Sequence, residues 1–290
     1  MKNKFLEKLS WVPFYFFVKN VRMPSNPMKI NLEKIEIPEK IIFHYLDSDE
    51  GLSRQFGLFG FREPLNWKNY YYFIDEKDVV LDIGANMGLF SLLAQNAKKV
   101  IAVEPIKECI PILRKNLDSN GLSKRSIVLN MAVGKKGTLF MKQENHVNLS
   151  RVVEEKSEAT YEVPSNDLDY FVNKYNANLL RMDVEGYESE ILKGAIPKKV
   201  NKISLEFHTG VMGKKKSLSL LKHLELEGFK IEKIIEDLPL RLYPFFSILR
   251  KIGLLKKFTY IKNNISMNDV ISLVLSGRSI KYLFLKRDER

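Results

Sequence analysis

The chain has 290 residues, 45% of them apolar, enough for one sizeable core or one domain plus appendages. A single cysteine, Cys109, excludes an internal disulfide and fits a reducing compartment. No run of 18 apolar residues occurs, so no spanning helix is expected, and the net charge of +12 points to an anionic partner such as lipid head groups, nucleic acid or an acidic glycan.

Residues 1–60 mix aromatics, prolines and charges and read as a helical or irregular extension. Trp11–Val18 is apolar and follows lysines, as a signal peptide does. It is short, contains Pro13 and lacks a small-residue cleavage site, so a helix packed on the domain or lying on a membrane is expected instead. Strand-like sequence follows around Ile35–Tyr45, and residues 60–75 look like a helix leading into the first core strand.

From Val79 strands and helices alternate, which implies a parallel sheet with right-handed crossovers. The expected core strands are Val79–Leu81, Val100–Val103, Ser126–Asn130, Leu179–Asp183, Ile203–Phe207, Lys230–Ile235 and Ile280–Lys286. Helices are expected at Leu89–Ala97, Tyr187–Ala195 and Ser217–Glu227, the last stopped by Gly228. Gly137–Lys142 and Thr160–Val163 have β character and mark a small β excursion.

The first of these units carries the strongest signal. Its strand enters a turn holding Asp82, Gly84, Asn86 and Gly88, and the next strand ends on Glu104. A strand, glycine turn, helix, strand and acid in this order build a nucleoside cofactor site at the carboxyl ends of the strands. The glycines let backbone amides approach a ligand, and Glu104 can accept both ribose hydroxyls. The turn is not Gly-x-Gly-x-x-Gly, and Asp82 would repel a pyrophosphate. It suits the ammonium and sulfonium of S-adenosylmethionine better. The alternative is an ordinary βαβ turn with no ligand.

Asp-Ile-Gly-Ala-Asn-Met-Gly (82–88), Val-Glu-Pro (103–105) and Met-Asp-Val-Glu-Gly-Tyr-Glu-Ser-Glu-Ile-Leu-Lys-Gly-Ala (182–195) resemble the motifs of the FkbM-type methyltransferases. The resemblance covers about residues 60–235, and its last segment is the most specific. It implies a class I methyltransferase, an α/β Rossmann-like fold with helices on both faces of a mostly parallel seven-stranded sheet in the order 3-2-1-4-5-7-6, the last strand antiparallel. It also implies that an acid and aromatics near Glu63 and Trp67 cover the cofactor, and that Ala132 meets the adenine through backbone atoms. The methyltransferase domain is then 61–290.

Asp183 and Glu185 end one strand and Glu206 and His208 its expected neighbour, each pair facing one side. His208 can take the proton of an acceptor hydroxyl, helped by Glu185 and Asp183. Alternatively the carboxylates hold a divalent metal that lowers the hydroxyl's pKa, the less favoured option. Glu185 can also serve only the dipole of the helix it starts, and His208 and Asp183 can be structural. His44, His146 and His223 have no motif context and read as surface or packing residues.

Between the last two strands, 238–277 has no Asp or Glu from Leu238 to Asn268 but holds Arg241, Arg250, Lys251, Lys256, Lys257 and Lys262. Pro244, Phe245, Ile248, Leu249, Ile252, Leu255 and Phe258 fit one face of a helix. An interfacial amphipathic helix reads this way, as does a cap packed on the domain. Topology puts the insertion on the ligand edge of the sheet, which predicts a cap over the acceptor site.

The function expected is O-methylation by S-adenosylmethionine of a hydroxyl on a sugar, glycan or specialised metabolite, anionic or membrane-bound. The expected location is cytoplasmic, with peripheral contact at the inner membrane face through 240–262. The alternatives are an RNA methyltransferase and a non-catalytic nucleoside-binding protein. Base-amino methylation usually needs an Asn/Asp-Pro-Pro-aromatic motif where this chain has Asp-Val-Glu-Gly.

Overall fold

Eight strands form the central sheet of the computed structural model, which describes residues 25–46, 59–142, 151–153, 160–237, 242, 245–257, 259–277 and 280–287. Two short strands, β1 (Met28–Asn31) and β2 (Lys40–Phe43), pair antiparallel ahead of helix α1 (Pro64–Phe73). The alternation then runs β3 (Val79–Ile83), α2 (Leu89–Leu93), β4 (Lys99–Val103), α3 (Cys109–Ser119) and β5 (Ser126–Leu129). The β excursion is a separate four-stranded sheet of β6 (Ala132–Val133), β7 (Gly137–Lys142), β8 (Arg151–Val153) and β9 (Thr160–Asn166). The main sheet resumes through α4 (Leu168–Tyr175), β10 (Leu179–Met182), α5 (Glu188–Ile191), β11 (Lys202–Glu206), α6 (Thr209–Leu226) and β12 (Lys230–Glu236). It closes with α7 (Phe246–Lys251), β13 (Tyr260–Ile265), α8 (Met267–Leu275) and β14 (Tyr282–Lys286). Trp11–Val18 and His146 lie outside the described residues.

The order across the sheet is β13-β12-β14-β11-β10-β3-β4-β5. Strands β5, β4, β3, β10 and β11 are parallel, while β14 runs antiparallel between β11 and β12. This is the expected class I order with one strand more. The eighth, β13, comes from the insertion and pairs antiparallel with β12 at the edge. Its middle residues Lys262, Asn263 and Asn264 are exposed. A polar edge strand has no apolar alternation to reveal it, and the same polarity keeps the edge from pairing with other chains.

Successive residues of the central strands feed two cores, as a period of two requires. Val80, Val100 and Ala102 pack under the β1–β2 hairpin and helices α1–α3, with Ile30, Phe43, Trp67 and Leu113. Leu81, Ile83, Ile101 and Val103 face the other way, toward Phe171 of α4 and Leu221 of α6. Burial on both faces is why these strands read as unbroken apolar runs.

The insertion does not form the long amphipathic helix expected. Helix α7 has six residues, and Gly253 at φ 72° ends the helical path before a 3-10 turn at Leu255–Lys257. Phe246 is buried against Phe61, with ring centroids 5.0 Å apart, while Phe245, Ile248 and Ile252 stay exposed. The second half of the insertion is β13 and α8, the latter burying Met267, Val270 and Val274 in the core beside α6. No described helix is long and apolar enough to cross a membrane.

Candidate functional site

The carboxyl ends of β3, β4, β10 and β11 surround an open cavity, at the edge where sheets of this kind bind ligands. At the end of β3 the Gly84 and Ala85 amides both donate to the Val103 carbonyl, at 3.0 and 3.2 Å. Gly84 sits at φ 77°, and a Cβ there would lie 2.0 Å from the Asp183 carbonyl oxygen. The neighbouring strand end therefore dictates this glycine. Gly88 is required by its left-handed φ of 90° at the start of α2, and a Cβ there would also crowd Leu113 Cδ1 of α3. Gly88 itself is not on the cavity wall, which its neighbours Asn86, Met87 and Leu89 form.

Asp82 is set deeper than the cavity wall. Its side chain is fully buried and does not line the cavity. Oδ2 accepts from the Ser91 hydroxyl at 2.6 Å, and Oδ1 lies 3.4 Å from Arg181 Nη1. Burial raises its pKa against the pull of Arg181. Arg181 projects from β10, donates to the Gly84 carbonyl at 3.1 Å and to Asp183 Oδ2 at 3.0 Å, and lies 3.8 Å over the Phe90 ring. Asp82 is thus tied to Arg181, which braces the glycine turn and Asp183.

Glu104 is where the sequence motif places it, buried at the end of β4 and on the cavity wall. Oε2 accepts from the Asn86 amide at 2.6 Å and Oε1 from the Ile106 amide at 2.8 Å. Burial pushes its carboxyl up to about 7, against the two backbone hydrogen bonds. Asn86, at φ 51°, lines the cavity beside it. Met131, Ala132 and Val133 form an apolar wall after β5, and Trp67 of α1 closes another side.

The carboxyl ends of β10 and β11 are crowded with charge. Asp183, Glu185 and Glu206 line the cavity, and His208 lies just behind them. His208 Nε2 is 3.5 Å from Glu185, 3.7 Å from Glu206 and 3.8 Å from Asp183 Oδ1, and Nδ1 is 2.6 Å from Glu188 Oε1. Burial works against an imidazolium, but the hydrogen bond to Glu188 and the charges of Asp183 and Glu206 push His208 up to about 9. Burial and the charge of Asp183 raise Glu185, and burial with Asp183 and Glu63 pushes Glu206 up to about 8. Glu63 lines the cavity mouth and is bonded to Lys281, with Arg62 at 3.3 Å. Although burial opposes it, these two cations hold its carboxyl below the usual range. Glu63, Asn86 and Glu185 are non-glycine residues with positive φ, at 48°, 51° and 51°, and all line the cavity. Glu36, Asn176 and Asn264 share this conformation away from the cavity.

Three residues of this site were not singled out in the sequence. Arg181 had a signal, a cation inside the apolar strand Leu-Leu-Arg-Met, which demands buried counter-charges. Glu188 had a weaker one, an acid in the diagnostic 182–195 segment. Lys281 had none, because it arrives through the antiparallel pairing of β14 beside β11, where its carbonyl accepts from the Phe207 amide at 2.7 Å. No described residue of 238–277 lines the cavity, so the expected cap over the acceptor site is absent there. His44 and His223 are packing residues, bonded to Ser119 Oγ and the Gly194 carbonyl.

The methyltransferase FkbM domain model matches residues 82–231, just over half of the chain, and spans every one of these strand ends. The chain belongs to the FkbM methyltransferase family. Among curated proteins it is 26% identical over 151 residues to AglP, a hexuronic acid methyltransferase of Haloferax volcanii. The match covers 47% of this chain and 59% of that protein, so less than two thirds of the relative is spanned. Among solved structures, a protein of the NADB-Rossmann superfamily from Streptococcus agalactiae gives a TM-score of 0.41 at 13% identity, covering 78% of this chain and 68% of that one. A tRNA methyltransferase of M. jannaschii gives 0.41 at 15% identity, covering 88% and 54%.

Proposed function

We propose that this FkbM methyltransferase moves a methyl group from S-adenosylmethionine to a hydroxyl of a sugar or glycan. The observation that carries the reading is one cavity with two unlike ends, the buried acceptor Glu104 with its apolar wall at one, and Asp183, Glu185, Glu206 and His208 at the other. Glu104 holds the ribose hydroxyls, and Met131, Ala132 and Val133 flank the adenine. Bound S-adenosylmethionine supplies an electrophilic methyl on a positively charged sulfur, which the acids around Asp183 favour. The acceptor oxygen forms its bond to carbon as the sulfur–carbon bond breaks, and its proton passes to a carboxylate of the acceptor end. Glu185 suits that task, because its raised pKa and its place on the cavity wall match a proton acceptor near neutral pH. Most of the rate comes from positioning.

A sugar acceptor is supported by the name of the curated relative, a hexuronic acid methyltransferase. A surface-bound acceptor is supported by α7, where exposed Phe245, Ile248 and Ile252 sit among exposed Lys251, Lys256 and Lys257. The test is calorimetric titration of the full chain with S-adenosylmethionine, followed by transfer of labelled methyl to uronic-acid glycans, glycolipids and RNA. Saturable binding and label in glycan or glycolipid are expected. No binding of the donor would overturn the enzyme reading, and label in RNA alone would overturn the acceptor.

A further inference from the structure

We propose that Asp183, Glu206 and His208 form a site for a divalent cation of the magnesium or manganese kind, its open positions facing the cavity. One ligand atom from each lies within 4.8 Å of the other two. His208 Nε2 is 3.8 Å from Asp183 Oδ1 and 3.7 Å from Glu206 Oε1. Adjacent donors held about 2.1 Å from a common octahedral ion stand roughly 3 Å apart, so these side chains would close by less than about 1 Å onto an ion, and they are too far apart for direct hydrogen bonds.

Two further observations point the same way. Asp183 Oδ1 is buried and has no hydrogen-bond partner, while Oδ2 is held by Arg181 at 3.0 Å. A carboxylate with one oxygen braced and the other bare toward an imidazole is set as a ligand. Behind the histidine, the fully buried Glu188 holds Nδ1 at 2.6 Å and turns Nε2 toward Asp183 and Glu206, with Glu185 at 3.5 Å beside them. A carboxylate fixing the far nitrogen of a ligating histidine is the usual support of a metal site. One nitrogen and two carboxylate oxygens suit a hard or borderline ion. Lys281 Nζ, 3.4 Å from Glu206 Oε1, and Arg181 are the cations already facing this cluster, and neither reaches Asp183 Oδ1 in hydrogen-bond geometry.

The catalytic use of the ion rests on the methyl-transfer reading, whereas its binding does not. An acceptor hydroxyl ligating the ion becomes more acidic and gives its proton to Glu185. Its oxygen then bonds the methyl carbon, and the sulfur keeps the electron pair of the broken bond and leaves as a neutral thioether.

The experiment is titration of chelator-treated full chain with Mn²⁺ alone, the free ion being counted by electron paramagnetic resonance. About one tight site per chain is expected, displaceable by Mg²⁺. His208→Ala and Glu206→Gln should each weaken it at least tenfold, and Glu188→Gln, which touches no ion, by roughly 10–100-fold through the histidine. His223→Ala should leave it unchanged. Thermal melts report folding of each variant, and Mn²⁺ should raise the melting temperature of the unaltered chain but not of Glu206→Gln. Absence of a tight site in the unaltered chain, or a site that survives both His208→Ala and Glu206→Gln, would overturn the proposal and leave the histidine as the imidazolium that neutralises these acids.

Discussion

Replacing Glu104 by glutamine separates the two tasks of that side chain. Both carboxylate oxygens accept backbone hydrogen bonds, from Asn86 at 2.6 Å and Ile106 at 2.8 Å. Glutamine offers one acceptor, so its amide nitrogen must face one of those buried donors. One unsatisfied buried N–H costs about 1–3 kcal/mol. The carboxylate has its own cost, since burial raises its pKa from 4.5 to about 7. As pH rises above 4.5 the unfolded chain releases this proton while the folded chain keeps it. Stability contributed by the group therefore falls until pH passes 7, by roughly 3 kcal/mol in all. The advantage of the unaltered chain over Glu104→Gln should shrink from pH 5 to pH 8 in melts without cofactor. Binding of S-adenosylmethionine should show the opposite trend, because its ribose hydroxyls donate to the ionised form. The variant should lose about 1.5–3 kcal/mol of affinity, roughly 10–150-fold, by calorimetry at pH 8. A pH-independent stability difference together with unchanged affinity would refute both roles.

Gly84→Ala should part the ends of β3 and β10, where the new Cβ would meet the Asp183 carbonyl. The expected outcome is a loss of about 2 kcal/mol or more in urea unfolding together with loss of cofactor binding, and a stable, binding-competent variant would contradict it. Arg181→Met leaves Asp82 and Asp183 without their cation and should cost about 3–5 kcal/mol by chemical denaturation, far more than Arg125→Met, whose guanidinium meets the Ala97 carbonyl and no acid among the described residues. On the surface, Ile248→Glu with Ile252→Glu should abolish sedimentation with anionic vesicles, to which each nearby lysine contributes about 1 kcal/mol at low salt. Equal sedimentation of variant and unaltered chain would remove the membrane contact.

The alternation of strands and helices, the glycine turn and the acid at the end of β4 were legible in the sequence because each is a local pattern of apolar spacing, turn chemistry and strand ends. The placing of Asp183, Glu185, Glu206 and His208 in one cluster was legible for a related reason: adjacent parallel strands present their carboxyl ends at one edge. What each residue does there was decided by tertiary structure. Asp82 is turned inward by Arg181, a partner 99 positions away in the chain. His208 is aimed by Glu188, whose helix the sequence located but whose pairing with the histidine it did not. Lys281 reaches Glu63 across 218 positions, only because β14 runs antiparallel into the sheet. The insertion shows the limit most clearly. Its apolar spacing between Pro244 and Phe258 is helical, but Gly253 ends the helix, the polar run at 260–265 becomes an edge strand, and Phe246 docks on Phe61. Local spacing sets which segments can bury a face. Long-range pairing of charges and strands sets which face is buried, and against what.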